Sequence, residues 1–173
     1  MTAEDVRLTP TSYIVLGFVD LADNATPYDL KAMVAASIGN FWSVPHAQLY
    51  TETARLAAAG LLDEEREEAG RRRKLYSLTP AGRRALAAWR AEPTGELMEL
   101  RDLGLLKLFF GADPKAIATA QLEAHRAKLA EYEALRAGAG EPMPSGPSLA
   151  LDAGLEHERV YVEFWARLAK RDS

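Results

Sequence analysis

The chain contains no cysteine, which excludes a disulfide framework, a thiolate nucleophile and cysteine-ligated zinc. No apolar run approaches the roughly 20 residues needed to cross a bilayer. The first residues, which include Glu4 and Asp5, lack the basic-then-apolar order of a secretory signal. A soluble, cytoplasmic protein without membrane attachment is therefore expected. Histidine is scarce: His46, His125 and His157 lie far apart, and none has a ligand spacing such as H-E-x-x-H. Glu156-His157-Glu158 sets adjacent side chains on different helix faces and reads as solvated surface. There is no G-x-S-x-G, P-loop or dinucleotide fingerprint. No enzymatic activity, no metal and no cofactor are expected.

What is present is ordinary in bulk and uneven in detail. The 173 residues are 48% apolar and 27% charged, a composition that suits one globular domain or two small ones. The net charge of -4 is a poor match to a general nucleic-acid coat, because counterion release needs clustered Lys and Arg. Its distribution matters more than its mean. Residues 1–91 hold eleven basic and eleven acidic groups, whereas residues 92–173 hold ten and fourteen. Gly70 to Arg84 carries six basic residues (Arg71, Arg72, Arg73, Lys74, Arg83 and Arg84) and no carboxylate, just after the acidic run Asp63 to Glu68. Segregation this fine suggests one face of a small module.

Residues 12–22 are almost wholly apolar and predict a short helix buried on most sides. Thr26-Pro27-Tyr28-Asp29 is a capping box with proline in the first turn, so a helix runs to about Ile38, with Gly39 placed to end it in the left-handed conformation. Ser43 can cap a third helix, with Pro45 in its first turn, that continues to about Ala59 before Gly60. On that helix Leu49, Thr53 and Leu56 share an inward face; Ala47, Gln48, Thr51 and Arg55 point outward, with His46 and Tyr50 on a flank. The outward face is small, polar and uncharged except for one Arg. Surface helices usually carry Glu and Lys pairs there, so this one suits entry into a groove. Leu61–Glu67 and Lys74–Leu78 read as a hairpin with arginines at its tip, and Thr79-Pro80 opens a helix to Glu92 before Pro93.

That order of three helices, hairpin and helix is a helix-turn-helix followed by a two-stranded wing. Further on, Gly95 to Phe110 is leucine-rich and predicts a helix, Asp113-Pro114 opens a second of about 24 residues to Ala137, Gly138–Pro147 reads as a linker, and Ser148–Lys170 as a last helix. The expected fold is mainly α with a small β-hairpin. A winged helix-turn-helix DNA-binding domain spans residues 1–92 and a helical dimerisation domain residues 93–173. Two long helices beside so small a module leave apolar surface over, and association of two chains covers it.

Several segments resemble the PadR family of bacterial transcriptional regulators. They are Ile14-Val15-Leu16-Gly17, Thr26-Pro27-Tyr28-Asp29-Leu30, Phe41-Trp42-Ser43-Val44, Gln48-Leu49-Tyr50, Arg55-Leu56 with Gly60-Leu61-Leu62, and Arg73-Lys74-Leu75-Tyr76-Ser77-Leu78-Thr79-Pro80-Ala81-Gly82. The match is strong over residues 9–92, and the helical remainder resembles the longer C-terminal domain of one subgroup. The resemblance implies a homodimer that binds a pseudo-palindromic operator in double-stranded DNA, commonly a repressor released by a small aromatic or drug-like effector. It also implies a DNA-backbone contact for Tyr50. Two departures stand out: Thr51 follows Tyr50 where the family often has Pro, and the wing is unusually rich in arginine.

With the third helix in the major groove, Gln48, Thr51 and Arg55 would meet bases, since Gln pairs with adenine, Thr can touch a thymine methyl and Arg suits guanine or phosphate. Ser43 and His46, at the start of that helix, complete its candidate set. Arg71, Arg72, Arg73 and Lys74 would supply sequence-independent affinity. For an effector, Trp42, Trp89, Trp165, Phe109 and Phe110 are the aromatic candidates, with Trp89 the first choice. A winged helix that serves protein–protein assembly without DNA is the competing reading, and the arginine-rich wing argues against it.

Overall fold

The computed structural model describes residues 6–66, 73–138 and 143–170. The chain divides into two compact units, Met1–Glu96 and Leu97–Ser173.

Capping chemistry sets the helix starts in the first unit. In α1 (Pro10–Leu21) the Thr9 hydroxyl accepts from the Ser12 amide while the Ser12 hydroxyl accepts from the Thr9 amide. The box repeats in α2 (Pro27–Ala36), where Thr26 accepts from the Asp29 amide and Asp29 accepts from the Thr26 amide. A 3-10 turn (Ile38–Asn40) leads to α3 (His46–Ala58). Gly60, at φ +71°, then reverses the chain into β1 (Leu62–Arg66). This strand pairs antiparallel with β2 (Lys74–Leu78), Leu62 opposite Leu78 and Arg66 opposite Lys74. An isolated bridge from Ala25 to Tyr76 ties β2 to the start of α2. Thr79 caps α4 (Pro80–Ala91). Val15, Leu16, Val19, Leu30, Leu49, Leu56, Leu61 and Leu86 fill the core that joins these elements.

Two local expectations fail here. Gly39 is not left-handed; it lies within the 3-10 turn, where a Cβ would stand 2.9 Å from the Val34 carbonyl oxygen, so glycine is required by close approach. Ser43 does not cap α3. Pro45, with extended ψ (132°), is itself the N-cap, and the helix starts one residue later; the residue before a proline is held away from the helical region, so the chain cannot enter the helix at Val44.

A polar clamp joins α1 to α3. The Arg55 guanidinium donates to both carboxylate oxygens of Glu52, at 2.6 and 2.9 Å, and also to the Ser12 hydroxyl (3.1 Å) and the Arg7 carbonyl (3.3 Å). The buried Ser12 hydroxyl in turn donates to Glu52. Arg55 therefore lies half-buried toward α1 and not on the outward face of α3, a correction to the helical-wheel expectation. A bidentate ion pair with an additional hydroxyl outweighs the solvation that a free guanidinium would keep.

In the second unit, α5 is only Leu103–Phe109, capped by Asp102, whose carboxylate accepts from the Leu105 amide. The longer leucine-rich helix expected from Gly95 does not form; residues 93–102 have no regular structure, and Leu97 is 96% exposed. The Asp102 cap sets the start instead. Two 25-residue helices follow, α6 (Pro114–Gly138) and α7 (Ser145–Ala169). The last helix begins inside the segment read as linker, taking Pro147 into its first turn, where the missing N–H costs nothing. The two pack antiparallel: His125 meets Glu158 at 2.6 Å, Arg136 meets Ser148 and Asp152, and a Cβ on Gly154 would lie 3.1 Å from the Tyr132 ring. Glu158 is thus buried, contrary to the surface reading of Glu156-His157-Glu158, while His157 stacks on Tyr161 with ring centres 4.6 Å apart. Trp165 is fully buried.

The clamp makes acid stability testable. Arg55 beside Glu52 holds that carboxyl below its ordinary value of 4.5, against the opposing effect of burial. A lowered folded-state pKa adds stability above the unfolded value that disappears as pH falls through the folded one. Glu52→Gln should cost about 1–2 kcal/mol near pH 7 by urea unfolding, and the gap from the native chain should close as pH falls below 4.5. A gap that is constant with pH would show that the charge on Glu52 does not matter.

Candidate nucleic-acid interface

α3 is two-sided. Leu49, Thr53 and Leu56 are fully buried, and the Thr53 hydroxyl donates back to the Leu49 carbonyl, so the inner face is apolar with no unmet donor. His46, Ala47, Gln48, Tyr50 and Thr51 are exposed, as is Ser43 ahead of the helix. The Thr51 hydroxyl donates to the Ala47 carbonyl at 3.0 Å, which commits its proton to the helix and leaves its oxygen free only to accept. Tyr50 is 46% exposed. With Arg55 withdrawn into the clamp, the outward surface of α3 carries no fixed charge over residues 46–51.

The hairpin carries cations of its own and answers some of them itself. Lys74 is exposed but pairs with Glu64 across the strands at 3.0 Å. Glu64 also accepts from the Tyr76 hydroxyl (2.9 Å) and lies 3.6 Å from Arg66. Lys74 holds the Glu64 carboxyl below its ordinary range, and burial pushes the Tyr76 hydroxyl up to about 12. The sequence reading missed this pairing because it compared charges along the chain; the register puts Glu64 opposite Tyr76, next to Lys74. Arg73 is exposed and acts on Asp29 at the start of α2. Arg71 and Arg72 lie outside the described residues.

The aromatic candidates fall into different settings. Trp89 stacks on Tyr13 with ring centres 4.7 Å apart and planes 8° from parallel, and it is 47% exposed. Trp42 is partly exposed on the turn before α3. In the second unit Trp165 is enclosed, with its indole N–H lacking a partner among the described residues, whereas Phe109 and Phe110 are exposed and pack edge to face on each other. Sequence reasoning also missed Glu52 and Ser12 as partners of Arg55; the 52/55 spacing was visible, but Ser12 is 43 residues from Arg55. Among the described residues, no cluster of acidic groups and histidines could hold a metal, and no helix is long and apolar enough to cross a membrane.

Residues 15–88 match the model of the Transcriptional regulator PadR-like family, and residues 100–171 match that of the Virulence activator alpha C-term. The chain is 31% identical over 170 residues to the negative transcriptional regulator PadR of Bacillus subtilis (strain 168), covering 88% of this chain and 91% of that protein. The crystal structure of Bacillus subtilis PadR in complex with operator DNA superposes with a TM-score of 0.82 at 25% identity, over 94% of this chain and 99% of that one. The complex of the same protein with p-coumaric acid gives 0.75 at 25% identity, over 91% and 95%. A winged helix-turn-helix, a helical C-terminal unit and a full-length relative at this identity lead to one assignment: the chain belongs to the PadR family of DNA-binding transcriptional regulators.

Proposed function

We propose that this regulator is a repressor that binds a pseudo-palindromic operator as a homodimer and leaves it when a small aromatic molecule binds. The observation that carries the reading is the exposed face of α3 over residues 46–51, which holds no Lys, Arg, Asp or Glu. Such a face can approach base edges without desolvating unpaired charge. Gln48 and the Thr51 methyl read bases; Ser43, His46 and Tyr50 contact the backbone at the groove edge. Arg71, Arg72 and Arg73 supply ionic affinity, and Lys74 is shared with Glu64. Arg55 acts through α3's position and not on a base. Exposed Leu103, Leu106, Phe109, Phe110 and Val160 in the helical unit support pairing of two chains, because a lone chain would leave them wet. Repression is supported by the relative named a negative transcriptional regulator, and an aromatic effector by the relative's complex with p-coumaric acid. Trp89, one ring face on Tyr13 and the indole half exposed, is the proposed effector contact.

The test is retention of a duplex from the chain's own promoter region over random duplex of equal length, with the wild-type chain. Retention of neither would overturn the reading. Gln48→Ala should weaken the preferred duplex by about tenfold or more, within the 1–3 kcal/mol of a good bidentate base contact, and leave random DNA nearly unchanged. Equal losses on both would remove Gln48 from readout.

Arg71→Ala with Arg72→Ala should weaken binding to every sequence and flatten the plot of log affinity against log salt by about one unit per lost phosphate contact. An unchanged slope would take the wing tip out of the interface.

A further inference from the structure

In the first unit, the exposed aromatic side chains among the described residues are Tyr28, Phe41, Trp42, Tyr50 and Trp89. Two of them are adjacent in the turn between α2 and α3. Phe41 is 67% exposed and Trp42 45%. A globular surface seldom leaves two neighbouring large rings in water without a use, since each holds much of the apolar area a side chain can bury.

The turn is built to keep them there. The amides of Phe41 and Trp42 both donate to the Ile38 carbonyl, at 2.9 and 2.7 Å. Asn40 donates from its side chain to the Ser37 carbonyl, and the Ser37 hydroxyl to the Met33 carbonyl. On the other side Val44, 7% exposed, anchors the chain in the core. The backbone carrying the rings is fixed at both ends, so little backbone entropy remains to be lost on contact. Ser43, Pro45, His46, Ala47 and Gln48 are exposed immediately beyond, so the rings are continuous along the chain with the outward face of α3. In helix-turn-helix docking the N-terminal residues of the second helix reach the bases. What precedes them must pass the sugar–phosphate wall of the groove.

We propose that Phe41 and Trp42 form an apolar contact with the deoxyribose wall of the groove that α3 enters, Trp42 being the main contributor. The inference rests on the DNA-binding reading above and adds a non-ionic source of affinity to it. The contact is sequence-tolerant because every nucleotide presents the same sugar carbons. It releases no counterion, so its loss changes affinity without changing salt dependence. That separates it from any role of the wing arginines.

The experiment compares the wild-type chain with Trp42→Ala and Trp42→Phe on the promoter duplex and on random duplex, at several salt concentrations. Trp42→Ala should weaken both by about tenfold, as expected for roughly 60 Å² of ring kept from water, with parallel salt plots and an unchanged melting temperature; Trp42→Phe should restore most of the loss. In a Trp89→Phe background the exposed indole is that of Trp42, because Trp165 is buried. Adding duplex should then shield fluorescence from acrylamide, and this readout stands even where Trp42→Ala disturbs folding. Wild-type affinity in Trp42→Ala, a changed salt slope, or undiminished quenching with DNA bound overturns the inference and leaves the DNA reading intact. Shielding that follows chain concentration without DNA identifies self-association and overturns it too. A wild-type chain that retains no duplex overturns both.

Discussion

The register of α3 against α1 is the constraint on which the rest depends. Leu49, Thr53 and Leu56 seat one side of the helix in the core, and the Arg55–Glu52–Ser12 clamp fixes its roll and slide against α1. Rotation of α3 by one residue would bury Gln48 and expose Leu49. The three buried side chains oppose this through area, and the clamp opposes it through geometry, because a bidentate guanidinium pair tolerates little displacement. A face that reads bases has to be held before it meets them; otherwise ordering it is subtracted from binding.

Charge is allocated away from that face. The one arginine that a helical wheel puts on the outward side of α3 is held internally, and Lys74 is balanced by Glu64 across the strands of the wing. With a net charge of -4, general attraction to a polyanion is weak, and the proposed interface relies on a few placed cations together with shape and apolar contact. This division suits a regulator that must distinguish one site among many, since ionic affinity alone raises binding to every sequence.

Local chemistry made most of the first unit legible from the sequence. The Thr26–Asp29 box, the Thr79 cap, the stop of α3 ahead of Gly60 and the two strands of the wing each follow from residues within a few positions of one another. The inward triad of α3 follows from helical period alone. What stayed hidden needed partners distant in the chain. Arg55 turned inward because Ser12 and the Arg7 carbonyl await it; Glu158 turned inward because His125 does. The Gly95–Phe110 stretch misled through composition, since leucine content argues for burial but does not say in what conformation. Gly39 was the right residue with the wrong reason: crowding by Val34 demands it, not backbone hand.

Alkylation interference on the promoter duplex reaches the central claim most directly, because the two grooves expose different atoms to methylation. If α3 enters the major groove through residues 46–51, methyl groups on guanine N7 should block binding within two half-sites about one helical turn apart. Interference confined to adenine N3 in the minor groove, or none in either groove while the duplex is still retained, would contradict the account.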